Sequence, residues 1–271
     1  MPDRSYALGH SNREIQRLQR QAEMLRPITE RLLVSAGVES GMRVLDIGCG
    51  PGDVSMLIAD LVGPTGHVIG IDPSAEAIDT ARLRCVELGR SNVEFSVDRV
   101  DTYDASTTFD AAVCRYVLIH QVDPSEFLRA TRRLVRPGGV IALHEMDITR
   151  GIQSYPRVPR LHEVYDAVTN TLLRAGTAFD VGGRLVRVFA DAGLPPPQLF
   201  SQTLVEGGED TVLLPWMTEL AREVCPQLFA DGTEAEIQAQ IDTLADLMRS
   251  AAREMNSQIE FVPQTCAWTR V

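Results

Sequence analysis

Two hydrophobic rhythms alternate along the chain, and their order sets the fold. Residues 11–36 repeat apolar side chains at steps of three and four (Ile15, Leu18, Ala22, Leu25, Ile28, Leu32), the signature of one helix face. Ser11 and Glu14 have capping-box spacing at its start, and Pro27 is expected to kink or split it. The rhythm then shortens to β-type runs at 43–47 (RVLDI), 67–71 (HVIGI), 93–97 (VEFSV), 109–114 (FDAAVC) and 139–144 (GVIALH). Helical patterns at 54–61, 75–88 and 124–134 separate them, the last opened by Asp123 as cap and Pro124 at the first helical position. Strands alternating with helices at this spacing predict βαβ units and a parallel sheet covered on both faces. In such sheets ligands bind outside the carboxyl ends of the strands, where strand order reverses. Functional residues are therefore expected just after each strand.

Beyond Asp147 the alternation stops. The stretch 155–160 (YPRVPR) reads as a linker or lid hinge, 161–174 as a helix, and GGRLVRVFADAGLPPP as a helix ended by Gly193 and a proline run. QLFSQTLVEGG and IEFVPQTCAWTRV read as two final strands, with helical sequence at 215–229 and 234–255 inserted between them. The expected organisation is an N-terminal helical lid (1–40), a Rossmann-like core (41–150) and a C-terminal part (151–271) that completes the sheet and caps the substrate.

The turn after the first strand, LDIGCGPGD, concentrates the chemistry. Gly48, Gly50 and Gly52 permit positive φ and leave bare backbone beside a helix start with unpaired N–H groups. Asp46 at the strand end suits an ammonium. Asp72 ends the neighbouring strand, where a carboxylate can accept both hydroxyls of a ribose. A lone GxGxG also occurs in plain tight turns; the two acids and the βαβ rhythm turn it toward nucleotide binding.

Composition narrows the classes. The 271 residues carry a formal charge of −11, and from Ser201 to Val271 acids outnumber arginines twelve to four. That balance disfavours a nucleic-acid partner, which needs a basic face. There is no lysine, which removes Schiff-base chemistry, lysine bases and a P-loop lysine together. Five scattered cysteines without a CxxC pair argue against a disulfide framework or a zinc knuckle. With no bilayer-length apolar run and a polar start lacking a signal-peptide core, the expectation is a cytoplasmic protein with no membrane partner.

VLDIGCGPG resembles the first motif of class I S-adenosylmethionine-dependent methyltransferases, in their small-molecule, UbiE-like branch. IGIDPS resembles their second motif, VEFSVDRVDTY their adenine-binding acidic segment, FDAAVCRYVLIHQVDP their fourth-strand motif and ATRRLVRPGGVIALHE their fifth. The resemblance spans about Met42 to Glu145, and it implies a doubly wound, Rossmann-like α/β fold. That fold has a seven-stranded, mostly parallel sheet whose last strand is antiparallel. It also implies S-adenosyl-L-methionine as cofactor, S-adenosyl-L-homocysteine as product, and these roles. Gly48, Cys49 and Gly50 line the methionine and ribose portion with backbone, and Asp46 sits near the amino group. Asp72, with Pro73 beside it, binds the ribose hydroxyls. Asp98 bonds the adenine amino group with the Arg99 backbone beside the ring, although this branch usually has a small residue at 99. The Arg115 carbonyl takes the ammonium, and His120 lies near the cofactor. Tyr6, in a leader resembling those that fold across the cofactor, is expected over the methionine end.

The acceptor side is less constrained. His144, Glu145 and Asp147 cluster at the expected end of strand five, so His144 is the first candidate base and Glu145 the second, with Tyr116 and His120 behind them. Equally open is that His144 finishes the strand in the core and Glu145 caps or pairs. Trp216, Met217 and Phe229 would complete an apolar pocket for a small organic acceptor, or form a homodimer face. No metal is expected. A nicotinamide dehydrogenase is the main competitor, but its fingerprint is G-x-G-x-x-G, and here the sixth position is Asp53, an anion where a pyrophosphate would sit. The segment after strand four lacks the motif of amino-methylating DNA enzymes, and no Pro-Cys pair offers a cytosine nucleophile. A non-catalytic cofactor-binding subunit is the third reading.

Overall fold

The computed structural model describes residues 12–207 and 211–271. Its core runs β1 (Arg43–Ile47), α2 (Asp53–Val62), β2 (His67–Asp72), α3 (Ala75–Glu87), β3 (Val93–Val97), β4 (Phe109–Arg115), α4 (Pro124–Leu134) and β5 (Val135–Met146), preceded by α1 (Asn12–Ala36). The seven-stranded sheet has the order β3-β2-β1-β4-β5-β10-β7, where β7 is Gln198–Gln202 and β10 is Gln264–Arg270. The core strands pair in parallel and β10 is antiparallel to both neighbours, as expected from the resemblance. Strand order reverses between β1 and β4, which places the crevice there.

Both sheet faces are covered, so the central strands are buried residue after residue rather than alternately. On one face Ile28, Leu32 and Leu33 of α1 and Ile58 of α2 pack against Val44, Val113 and Ala142. On the other, Leu128 of α4 and Phe189 of α6 (Leu185–Asp191) pack against Leu45, Phe109 and Leu143. Pro27 lies within α1 without splitting it. The side chains of α1 that follow the proline on the sheet-facing side are wholly buried, and that burial outweighs one lost backbone bond. Asp123 caps α4 as expected, its Oδ1 accepting the N–H groups of Ser125 and Glu126. The capping box at Ser11 lies outside the described residues.

The remaining elements form a cap with its own apolar core. They are β6 (Gln153–Tyr155), α5 (Pro159–Arg174), β8 (Val205–Glu206), α7 (Leu213–Val224), α8 (Glu234–Glu254) and β9 (Gln258–Glu260). Each expected late strand turns out to be two. QLFSQTLVE gives β7 to the large sheet and β8 to a small antiparallel sheet, β6-β9-β8; the final run likewise divides into β9 and β10. Pro263 sits at the second break, between a strand of each sheet. Among the described residues no helix is long and apolar enough to cross a membrane.

Candidate functional site

A cavity of about 580 Å³ opens at the carboxyl ends of β1, β2 and β4, under α1, α5 and α7. At one end lie Asp46, Gly48, Cys49, Gly50 and Asp72; at the other lie Val168, Leu172, Trp216, Met217, Leu220 and Phe261. The glycine turn is shaped for close approach. Gly48 has φ +69°, and a Cβ there would lie 2.5 Å from Val117 Cγ2. Gly50 has φ +52°, and a Cβ there would meet nothing within 4 Å, so its backbone faces open space.

Asp72 is held by two backbone donors. The Gly50 N–H donates to Oδ2 at 3.0 Å and the Ser74 N–H to Oδ1 at 2.9 Å. A carboxylate has roughly four acceptor positions, so these two backbone bonds do not saturate it. Asp46 is 1 % exposed, accepts from Ser55 Oγ at 2.6 Å, and burial raises its pKa to about 7. Asp53, at the start of α2, lines the same cavity and pairs with Arg84 at 2.7 Å.

The segment after β4 forms another wall. Tyr116 has φ 59°, a left-handed conformation that a residue with a Cβ adopts only under constraint. Its constraints are visible. Its N–H donates to the His144 carbonyl at 2.9 Å, its hydroxyl donates to Gln264 Oε1, and its ring stands edge-on to His144 with centroids 5.6 Å apart. A connected network extends from there to the cavity. Gln264 Oε1 is 3.2 Å from His144 Nε2, and His144 Nδ1 is 3.0 Å from Thr29 Oγ1, which accepts from Arg115 Nη1 at 3.3 Å. Gln264 Oε1 can only accept, so His144 donates to it from Nε2; the neutral ring then takes the single Thr29 hydroxyl hydrogen at Nδ1 in place of the Leu25 carbonyl, which lies 3.2 Å from Thr29 Oγ1. Burial agrees with this, lowering the His144 pKa to about 3.

The sequence-expected residues divide clearly. Asp46, Gly48, Cys49, Gly50, Asp72, Pro73, Arg115, Tyr116 and His120 all line the cavity, and burial lowers the His120 pKa to about 4. Asp98 and Arg99 do not line it. The Asp98 N–H donates to the Asp72 carbonyl, just beyond the rim, and the exposed Arg99 side chain bonds Asp101. Tyr6 lies outside the described residues. Trp216 and Met217 line the apolar half, whereas Phe229 does not.

The expected bases, His144 and Glu145, need correction. Both are wholly buried and neither lines the cavity. The strand expected to end at His144 runs to Met146, so both residues sit inside the sheet and the rim position belongs to Met146. Glu145 Oε1 accepts the N–H groups of Val117 (3.0 Å) and Leu118 (2.8 Å), and burial raises its pKa to about 8. Asp147 instead caps the turn at 148–150 through the Thr149 N–H. Arg17, Gln21, Asp53 and Phe261 also line the cavity, and Gln264 braces Tyr116, although none was expected to take part. Gln21 and Gln264 are uncharged and belong to none of the motifs, so nothing local in the sequence marks them.

An open crevice at the reversal point, a glycine turn of bare backbone and a ribose-type acid define an α/β protein for a nucleoside cofactor. Comparison with known proteins narrows this. The methyltransferase-domain family profile matches residues 38–182, more than half of the chain. The chain is 32% identical over 185 residues to the ubiquinone biosynthesis O-methyltransferase of Thiobacillus denitrificans, covering 66% of this chain and 75% of that one. It is 34% identical over 175 residues to an uncharacterized 37.1 kDa transposon protein of Streptomyces fradiae, covering 64% of this chain but only 49% of that protein's length. A solved structure of a putative methyltransferase from Bacillus halodurans superimposes with a TM-score of 0.57 at 16% identity, over 89% of this chain and 97% of that one. The chain belongs to the methyltransferase-domain family, with the class I fold of S-adenosylmethionine-dependent methyltransferases.

Proposed function

We propose that the protein transfers a methyl group from S-adenosyl-L-methionine to a small, largely apolar organic acceptor. One observation carries this reading: a single cavity joins the glycine turn and Asp72 to an apolar wall supplied by the cap. The cofactor, when bound, supplies an activated methyl on a sulfonium. Asp72 would receive the ribose diol on its carboxylate, and the open backbone at Gly50 would lie along the sugar. Asp46 would hold the ammonium, with the Arg115 guanidinium facing the carboxylate. Asp98, at the rim, would be reached only by the adenine edge. The cap helices would exclude water and align the acceptor, and alignment alone supplies a large share of the rate in a displacement of this kind. His120 and Tyr116 are the titratable side chains of the β4 segment that line the cavity and would face the reacting centre. A nicotinamide dinucleotide fits less well, because Asp53 stands where its pyrophosphate would need a positive environment.

Calorimetry tests the assignment. S-adenosylhomocysteine is expected to bind and NADH is not; the reverse preference would overturn the proposal. Asp46 adds a pH signature. Its pKa of about 7 means that it is largely protonated below neutrality, while an ammonium favours the ionised form. Affinity for S-adenosylhomocysteine should therefore fall as pH drops below about 7, by up to about tenfold per pH unit. Binding near pH 7 should also release a proton, seen as a dependence of the heat on buffer ionisation enthalpy. Asp46→Asn should flatten the profile.

A further inference from the structure

The two edges of the large sheet are guarded differently. At one edge β3 carries Glu94, whose side chain is 71 % exposed and lies 3.6 Å from His67, and Asp98 follows the strand directly. Charges along an edge strand keep other strands from pairing with it. At the other edge β7 reads QLFSQ, with no charge and no proline, and its pairing with β10 runs without a bulge. Among the described residues no group bonds the outer N–H and C=O groups of β7. Apolar side chains flank this bare edge on both faces. Leu199, 42 % exposed, shares a face with Ala267, its partner in β10. Phe200 is half-buried on the opposite face, its ring edge-on to Trp268 with centroids 6.1 Å apart. The Arg31 guanidinium of α1 lies 4.1 Å from the Phe200 centroid, and Val34, three residues further along that side of α1, is 60 % exposed.

We propose that a second copy of this chain covers this edge, its β7 pairing antiparallel with the first about a two-fold axis at Phe200, so that the two large sheets become one. Unpaired backbone groups call for an extended strand, and the sequence of β7 suits its own copy. About that axis Phe200 faces Phe200 of the second copy, Leu199 faces its Ser201, and Gln198 faces its Gln202. Gln202 Oε1 already accepts from Arg31 at 3.3 Å, which leaves its NH₂ to donate to Gln198 across the axis. The facing phenylalanines extend the Phe200–Trp268 contact to four rings in a row, and the two Leu199 side chains lie on a diagonal within reach of each other. No like charges oppose each other within the strand. The two Arg31 guanidiniums do approach, each seated on its own Phe200 ring, and salt screens their repulsion. No residue of β7 lines the cavity, so each copy keeps its own site and the proposal stands independently of the methyltransferase reading.

Sedimentation velocity on the full chain tests this. Paired five-residue strands with a few apolar flanks make a small interface, and a micromolar dissociation constant is expected. The 29.8 kDa chain should thus be mostly monomer at about 1 µM and mostly dimer at about 100 µM. Raising salt should hold or tighten the dimer. Leu199→Lys places a charge on the edge and should weaken association about tenfold or more. Adding Ser201→Glu to that variant should restore association to within about threefold of wild type, because in this register position 199 of one copy faces position 201 of the other. A thermal melt shows whether the variants stay folded. Should Leu199→Lys fail to fold, hydrogen exchange on the wild type decides: the outer amides of β7 should slow as concentration rises from about 1 to about 100 µM while those of β3 do not change. The proposal is overturned by a wild-type monomer at about 100 µM, or by a dimer that salt dissociates. It is equally overturned by a dimer that Leu199→Lys leaves intact, or by a double variant that associates no better than Leu199→Lys alone.

Discussion

Asp72→Ala is expected to lower affinity for S-adenosylhomocysteine by about a hundredfold or more while the protein stays folded. Hydrogen bonds to a charged acceptor contribute about 1.5–3 kcal/mol each, and a ribose diol would make two of them. The substitution also frees the N–H groups of Gly50 and Ser74, which the carboxylate now accepts. Asp72 is only partly buried, so water can satisfy those two donors and the cost to the fold should be small. Asp72→Asn separates the contributions. It keeps one oxygen but sets an amide NH₂ against one of the two backbone N–H donors, so it should recover only part of the affinity. Calorimetry with S-adenosylhomocysteine reads the affinity, and a thermal melt shows whether the fold is kept. Wild-type affinity in Asp72→Ala would mean that the nucleoside sits elsewhere.

The part of the site that this substitution probes was the part readable from sequence. Asp46, Gly48 to Gly50 and Asp72 lie within or directly after short buried strands, so local pattern fixes both their element and their end of the sheet. Two kinds of feature were not readable. The first is strand length. The apolar run ending at His144 gives no sign that pairing continues to Met146, because that continuation is made by β10, more than a hundred residues later, where Cys266 opposes His144 and Gln264 opposes Met146. Two residues of extra pairing moved His144 and Glu145 from the rim into the sheet. The second is the identity of the cap. Trp216, Leu220 and Phe261 belong to amphipathic stretches whose apolar faces announce burial but not the surface that buries them. The doubled late strands have the same origin, since membership of a second sheet depends on β6, β8 and β9 meeting in space. Local rhythm carries the glycine-turn half of the cavity; tertiary contact carries the apolar half.

Glu145 shows what the misplaced pair does instead, and its effect on stability should be large. Its carboxyl holds the N–H groups of Val117 and Leu118, and Val117 in turn packs on Gly48, where a Cβ would meet it at 2.5 Å. The residue therefore braces the Tyr116 turn against the glycine turn from beneath, without touching the cavity. Its Oε2 is buried and has no hydrogen-bond partner among the described residues, so ionisation there is opposed. The folded pKa of about 8 lies above the ordinary value of 4.5, so the folded state binds more protons between those values than the unfolded chain does. Stability must then fall as pH rises from about 4.5 to about 8, by several kcal/mol over the interval. Asp46, raised to about 7, acts in the same direction, so the effect of Glu145 is read as a difference between variants. Glu145→Gln keeps the Oε1 acceptor and cannot ionise. It should match wild type within about 1 kcal/mol at pH 5 and exceed it by several kcal/mol at pH 9 in denaturant melts. Glu145→Leu removes the acceptor, leaves two buried N–H groups unmet, and should cost about 2–5 kcal/mol at pH 5. A catalytic base would behave otherwise: Glu145→Gln would lose turnover, with no gain in alkaline stability. Equal stability of wild type and Glu145→Gln at pH 9 would show that the carboxyl ionises freely, and the bracing role would fall with it.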